Sequence, residues 1–226
     1  MSGTARKFPA QVLLFDLDGT LVDSLPDLAE ATNRTLAELG LPPRAYEEIA
    51  TFVGQGIGEL VRRALGIAPE EDPERVATAL ATFRRHYAAV NGSQATLYPG
   101  VMETLRALQE MDRPMAVVTN KAEQFTRPLL EQMGIAPFFA AVVSGDTLPV
   151  KKPDPRVLTH ALAQLGTTPP HEAVMVGDSR NDALAAQALG MPVLLVTYGY
   201  SEGQPIDEIA CDAYLDRFDQ VLHFLA

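Results

Sequence analysis

From Tyr98-Pro99-Gly100 onward, apolar strand-like runs and helical periods take turns along the chain with only short links between them. Strands are predicted at 115–119, 140–143, 173–176 and 192–196, and helices at 101–111, from Lys121 to Met133, at 156–165 and at 182–189. Pro128 conflicts with one uninterrupted helix in the second of these, so a kink or a fresh start near Arg127 is expected. Alternation of this kind demands right-handed crossovers and builds a doubly wound parallel sheet, an α/β fold. An earlier run, Val12-Leu13-Leu14-Phe15, stops abruptly at Asp16-Leu17-Asp18-Gly19-Thr20, as a strand buried on both faces would. Residues 213–215 and 218–225 predict a short last strand and a closing helix.

Between Asp23 and Leu97 no strand-like run occurs. Over 24–40 the apolar positions Leu25, Leu28, Ala29, Thr32, Leu36 and Leu39 recur at helical spacing, with Ser24 placed to cap the start and Gly40 the end. Further helices are predicted at 57–65 and 73–90. The α/β core therefore comprises 1–22 and 98–226, interrupted after its first strand by an all-helical insert at 23–97, roughly 75 residues. Asp23-Ser24-Leu25-Pro26 and Leu97-Tyr98-Pro99-Gly100 have the turn chemistry of hinges.

Composition narrows the partners. A net charge of −11 repels nucleic-acid backbones and anionic membranes, so any bound phosphate must meet a local positive exception. Cys211 is the single cysteine, which excludes an internal disulfide. No signal-peptide pattern opens the chain and no apolar run reaches the 18 or so residues needed to span a bilayer. A cytoplasmic protein with no nucleic-acid or membrane partner is expected, and no feature specifies an oligomeric state.

Ligands of open parallel sheets bind beyond the carboxyl ends of the strands, where strand order reverses. The residues just past each predicted strand are therefore informative: Asp16 and Asp18 after the first, Thr119 and Asn120 after the second, Lys151 and Lys152 beyond the third, Asp178 and Asp182 after the fourth. One Asp after a strand is commonly a turn former or helix cap. Several carboxylates in one crevice repel unless a cation neutralises them, and an all-oxygen site suits Mg²⁺. With only four lysines in the chain (Lys7, Lys121, Lys151 and Lys152), a Lys-Lys pair beyond a strand is unusual.

Asp16-Leu17-Asp18-Gly19-Thr20-Leu21-Val22-Asp23 resembles the first motif of the haloacid dehalogenase superfamily in its phosphatase form. Thr119 closing an apolar strand is similar to the second motif, Lys152-Pro153-Asp154-Pro155 to the third, and Gly177-Asp178-Ser179-Arg180-Asn181-Asp182 to the fourth. The ordered set spans essentially the whole chain. The resemblance implies a phosphomonoester hydrolase in which Asp16 attacks phosphorus to form an aspartyl phosphate, and Asp18 protonates the leaving alcohol and later accepts a proton from water. For the first task Asp18 has to hold a proton near neutral pH, which neighbouring carboxylates and partial desolvation would favour. The resemblance further implies Mg²⁺ held by the Asp16 carboxylate, the Asp18 backbone carbonyl and the Asp178 carboxylate. Lys152 would neutralise nucleophile and phosphate, while Thr119 and the backbone amides near Leu17, Asp18 and Asn120 hold phosphate oxygens. Asp182 orients Lys152 or a metal-bound water, or serves as a helix-start charge, and Gly19 lets the chain turn without a Cβ clash.

Superfamily members similar to this one carry a helical cap between the first two motifs, matching the insert. Within it, Val53-Gly54-Gln55-Gly56-Ile57-Gly58 is a glycine-rich turn before a helix, either a simple helix-to-helix connection or a set of amides able to meet an anion. The segment resembles the cap loop of phosphoglycolate phosphatases, so Gly54, Gln55 and Gly56 are candidate binding residues and a small anionic phosphate ester such as 2-phosphoglycolate is the leading substrate. Arg62 and Arg63 are expected to be solvated charges, or else partners of a substrate carboxylate. Absences separate relatives. No lysine lies between Asp23 and Leu97, which excludes the Schiff-base chemistry of phosphonoacetaldehyde hydrolases, and no histidine lies within 24–40, which disfavours a β-phosphoglucomutase. Carbon–halogen hydrolysis is disfavoured by the carboxylate at Asp18. Alternatives are a phosphatase for a sugar phosphate, nucleoside monophosphate or pyrophosphate, and, more remotely, a non-catalytic phospho-receiver module.

Overall fold

The computed structural model describes residues 7–166 and 168–226; the first six residues of the expected core, and Thr167, lie outside the described residues. Strands β1 (Val12–Phe15), β4 (Met115–Val118), β5 (Ala141–Val143), β6 (Ala173–Gly177), β7 (Val193–Val196) and β8 (Ala213–Leu215) form one six-stranded parallel sheet. Its order is β5-β4-β1-β6-β7-β8. β1 is central, in register with β4 on one side (Leu14 opposite Ala116) and β6 on the other (Leu14 opposite Met175). The chain winds outward from β1 through β4 to β5, then returns to the far side of β1 as β6. Strand order thus reverses at β1, and a crevice opens beyond its carboxyl end.

Both faces of the sheet are covered, which explains strands apolar at every position. Leu13 and Phe15 pack with Leu105 and Leu108 of α5 (Val101–Glu110), Leu129 of α6 (Glu123–Gln132) and Phe218 of the closing 3₁₀ helix Phe218–Phe224. Val12 and Leu14 face the other way, onto Val157 and Leu158 of α7 (Arg156–Gln164) and Ala183 and Ala186 of α8 (Arg180–Gln187). Of the two expectations, the fresh start near Arg127 is corrected: α6 starts at Glu123 and runs through Pro128. Proline there forfeits a single intrahelical bond, and the buried faces of Phe125, Leu129 and Leu130 on either side keep the helix in place.

Between β1 and α5 the chain forms four helices: α1 (Leu25–Glu38), α2 (Tyr46–Ala50), α3 (Ile57–Leu65) and α4 (Pro73–Val90). They share an apolar cluster of their own, including Leu28, Ile49, Leu60, Phe83 and Tyr87, which also takes in Phe125 from α6. The five-residue α2 has no full amphipathic period, and sequence periodicity missed it. The two segments expected to act as hinges are not free turns. Val22–Asp23 (β2) and Thr96–Leu97 (β3) pair antiparallel, Val22 opposite Leu97, so the absence of strands inside 23–97 is corrected at both ends. Among the described residues no helix is long and apolar enough to cross a membrane.

Candidate active site

Asp16 is the first residue past β1, and its backbone N–H still bonds to the Val176 carbonyl of β6. Held by the sheet on one side, its carboxylate accepts from the Leu17 amide (2.7 Å) and meets the Lys152 ammonium at 2.9 Å. Lys152, reached from the loop beyond β5, has a side chain only 2% exposed and donates equally to Asp182 Oδ1 at 2.6 Å. Asp182 belongs to the first turn of α8, where its Oδ2 accepts from Ser179 Oγ (2.8 Å) and the Ser179 amide (3.2 Å), a reciprocal capping box. Asp182 thus closes the start of α8 and holds the Lys152 ammonium at the same time. Asp178, at the end of β6, accepts from the Tyr200 amide at 2.7 Å. Gly19 has φ +82°, and a Cβ there would collide with the Asp178 carboxylate. That glycine makes the close approach possible.

Asp16, Asp178 and Asp182 are all buried, each with a carboxylate oxygen within 4.8 Å of those of the others. Burial pushes the Asp16 carboxyl up, Asp182 pushes it further and Lys152 pulls it back, leaving it at about 7. Burial, then the charges of Asp16 and Asp182, raise Asp178 well above the usual carboxylate range. Burial alone would lower Lys152, but Asp16 and Asp182 outweigh it and keep the ammonium charged. The acids thus outnumber the cation, and the ionised cluster lacks positive charge. An all-oxygen donor set with that deficit fits a divalent cation. With the Asp182 oxygens engaged by Lys152 and Ser179, Asp16 and Asp178 have the carboxylates best placed to meet it.

Asp18 stands in different company from that expected. Its side chain is held by Ser24 Oγ, which donates to Oδ1 at 2.6 Å, and by Lys121 Nζ, which donates to Oδ1 and Oδ2 at 3.0 and 3.2 Å. Expected neighbours were acids; the neighbours are a hinge hydroxyl and an ammonium. Ser24 does hold the N-cap position of α1, yet it makes no side-chain capping bond.

A cavity of about 30 Å³, enough for a water or two, lies over these groups. Its floor is Asp16, Asp18, Thr119, Asn120 and Lys121; its roof is Leu28, Val53, Gly54, Gly56, Ile57 and Leu60 from the helical insert. Gly56, at φ +87°, precedes the first residue of α3, so the start of that helix forms part of the roof. The Asn120 side chain ties roof to floor. Its Nδ2 donates to the Gly54 carbonyl (2.8 Å) and the Lys152 carbonyl (3.0 Å), while its Oδ1 accepts from the Lys152 amide (2.9 Å). Gln55 sits beside the cavity instead of on its wall, its amide donating to Glu202 at 3.2 Å. Arg62 and Arg63 turn away. Arg62 pairs with Glu59, and Arg63 donates to the Thr51 carbonyl and covers the Phe52 ring at 4.5 Å.

Three side chains in this region escaped sequence reasoning. Lys121 is buried in the cavity floor, and its rarity as a lysine two residues past a strand was the available signal. Tyr87, on the buried face of α4, belongs to no motif and left no signal. Tyr200 follows β7, one strand beyond the ends inventoried. Its hydroxyl donates to Asp23 Oδ1 (2.7 Å) and accepts from the Ser24 and Leu25 amides (2.9 and 3.0 Å), linking the Asp178 loop to a hinge.

Comparison with known proteins agrees with this geometry. The family model for haloacid dehalogenase-like hydrolases matches residues 13–196. A phosphoglycolate phosphatase of Thiobacillus denitrificans is 44% identical over 207 residues, covering 91% of each chain. Another from Photobacterium profundum is 46% identical over 214 residues, covering 93% of each. Among solved structures, a predicted phosphoglycolate phosphatase from Haemophilus somnus superposes with a TM-score of 0.88 at 34% identity, covering 95% of this chain and 97% of that one. CbbY from Rhodobacter sphaeroides in complex with phosphate superposes at 0.78 with 26% identity, covering 95% and 99%. With a family model matched from the first strand of the sheet to its fifth, and relatives of this identity along nearly the whole length, the chain belongs to the haloacid dehalogenase-like hydrolases.

Proposed function

We propose that this protein hydrolyses phosphate monoesters through Asp16, with 2-phosphoglycolate as substrate and glycolate and phosphate as products. The observation that carries the reaction class is the Asp16–Lys152 pair: a buried carboxylate at the switch point of the sheet, with an ammonium placed to neutralise both it and an incoming phosphoryl group. In the first step an Asp16 oxygen forms a bond to phosphorus as the ester P–O bond breaks. The electron pair leaves on the alcohol oxygen, which takes a proton from Asp18, and an aspartyl phosphate remains. In the second step water attacks phosphorus and gives its proton back to Asp18. The bond to Asp16 breaks, returning its electrons to the carboxylate and releasing phosphate.

Mg²⁺ is the proposed cofactor, held by Asp16, Asp178 and the Asp18 carbonyl; when bound it supplies charge neutralisation for the phosphoryl oxygens. Thr119 and the amides of Leu17, Asp18 and Asn120 are the proposed phosphoryl holders. Residues 23–97 serve as a lid over the core of 1–22 and 98–226, excluding water while the leaving group departs. The substrate choice is supported by the names of the relatives and by the roof of the cavity, where the amides at Gly54–Gly56 and the start of α3 offer a site for a small anion such as the glycolate carboxylate. A panel of phosphate esters compared by kcat/KM tests it. We expect 2-phosphoglycolate to exceed hexose phosphates by at least about tenfold; parity would overturn the substrate and leave the reaction class standing.

A further inference from the structure

The Lys121 ammonium is among the most confined charges in the molecule, its side chain 2% exposed. Burying an ammonium is tolerated only when every donor is engaged. Its three donors meet three oxygens: Asp18 Oδ1, Asp18 Oδ2 and the hydroxyl of Tyr87. Two of these belong to the proposed acid of the core. The third comes from α4, in the helical insert, and is carried by a ring that is itself fully buried. That ring packs on Phe83 (centroids 5.4 Å apart) and on Phe125 (4.8 Å), and lies under Lys121 Nζ at 4.8 Å. Phenylalanine would satisfy the packing, as it does one turn earlier at Phe83. The hydroxyl has a polar task, and Lys121 is the partner it meets. Because the donors are all taken in this closed arrangement, Lys121 is spent on holding Asp18 and not on gripping a substrate anion.

We propose that Tyr87 is a positioning residue for Asp18, acting through Lys121, so that the insert contributes to proton transfer as well as to shielding. The inference rests on the functional reading above. With the Tyr87 hydroxyl in place, Lys121 is fixed and the Asp18 carboxyl faces the departing oxygen in one orientation. Without it, Lys121 has a donor unmet and is less firmly placed, leaving Ser24 Oγ as the one well-anchored hold on the Asp18 side chain. Orientation of an acid matters in proportion to how much the leaving group needs a proton. An alkoxide such as glycolate needs one, whereas 4-nitrophenolate departs without it.

The test is single-turnover release of the leaving group from 2-phosphoglycolate and from 4-nitrophenyl phosphate, with Mg²⁺, in wild type and Tyr87→Phe, restricted to the first chemical step. We expect glycolate release to slow by about tenfold or more, with KM changed less than about threefold and the nitrophenolate burst within about twofold of wild type. Lys121→Gln, which keeps a donor toward Asp18 but removes the charge, should show the same selectivity with a larger loss, and serves should Tyr87→Phe fail to fold. Equal slowing of both substrates, or slowing of neither, in a folded variant overturns the inference. A wild type that leaves every phosphate ester intact overturns the functional reading instead. If wild type prefers another alkyl phosphate, the same comparison is made on that ester.

Discussion

Asn120 Nδ2, at the carboxyl end of β4, donates to the backbone carbonyl of Gly54 in the cavity roof, 2.8 Å away, and the same amide group brackets the backbone of Lys152. One side chain thus fixes the roof loop and the loop that delivers the ammonium. Asn120→Ala should leave the Lys152 amide buried and unpaired, at a cost of about 1–3 kcal/mol. The expected outcome is a lower midpoint in urea together with a higher KM and a lower kcat. A change in KM with unaltered stability would place the role of Asn120 in the roof loop alone.

Asp16→Asn preserves size and burial but cannot form the phosphoryl ester. Turnover should fall by a factor on the order of 10⁴ or more, with the circular dichroism spectrum unchanged. Persistence of substantial activity in a protein purified free of deamidated material would rule out Asp16 as nucleophile.

Lys152→Met removes the ammonium that Asp16 and Asp182 share. Two buried carboxylates then face each other uncompensated, and breaking such a network costs about 3–5 kcal/mol. Stability and activity should both collapse, and added divalent cation should restore part of the first and little of the second. A thermal melt with and without Mg²⁺, beside a phosphate-release assay, distinguishes these.

Protonation gives a signed prediction for metal-free protein. The Asp16 carboxyl is raised by burial from 3.8 to about 7, so between those values the folded chain holds a proton that the unfolded chain has released. Its contribution to stability therefore declines as pH rises through that interval. A divalent cation binds the ionised form, so its stabilising effect should grow over the same interval. Melting temperatures in chelator and in Mg²⁺ should diverge more at about pH 7.5 than at about pH 5. Equal separation at both would show that ionised Asp16 is not part of the cation site.

Gly56 has φ +87°, and a Cβ there would stand 2.9 Å from Lys151 Nζ and 3.2 Å from the Asn120 carbonyl. Gly56→Ala should strain the roof by about 1–2 kcal/mol and express it mainly as a KM increased by about tenfold, since the loop lies outside the sheet. Michaelis constants for 2-phosphoglycolate check this; an unchanged KM would remove the α3 start from substrate binding.

How far the sequence could be read followed the reach of each signal. The sheet was legible because strands buried on both faces leave apolar runs, and Asp16, Asp178 and Lys152 were legible because chemistry in such sheets collects at strand ends. Asp182 was legible for the same reason, as a carboxylate just past the fourth predicted strand, while its capping box with Ser179 became visible only in the structure. The company of Asp18 was not. Lys121 reaches it from 103 residues away and Tyr87 reaches Lys121 from another element, and neither contact leaves a local pattern. Pairing of β2 with β3 was hidden for a related reason: two-residue strands are too short to show alternation.

The pairing of Val22 with Leu97 means that the polypeptide departs from the sheet and rejoins it at adjacent points. Everything strung between them hangs from a single stalk. No strand of the large sheet would lose a neighbour if that excursion were shortened, lengthened or exchanged for another, so the sheet tolerates change there as long as the points that reach back to the core, the Tyr87 hydroxyl and the Gly54 carbonyl among them, are kept.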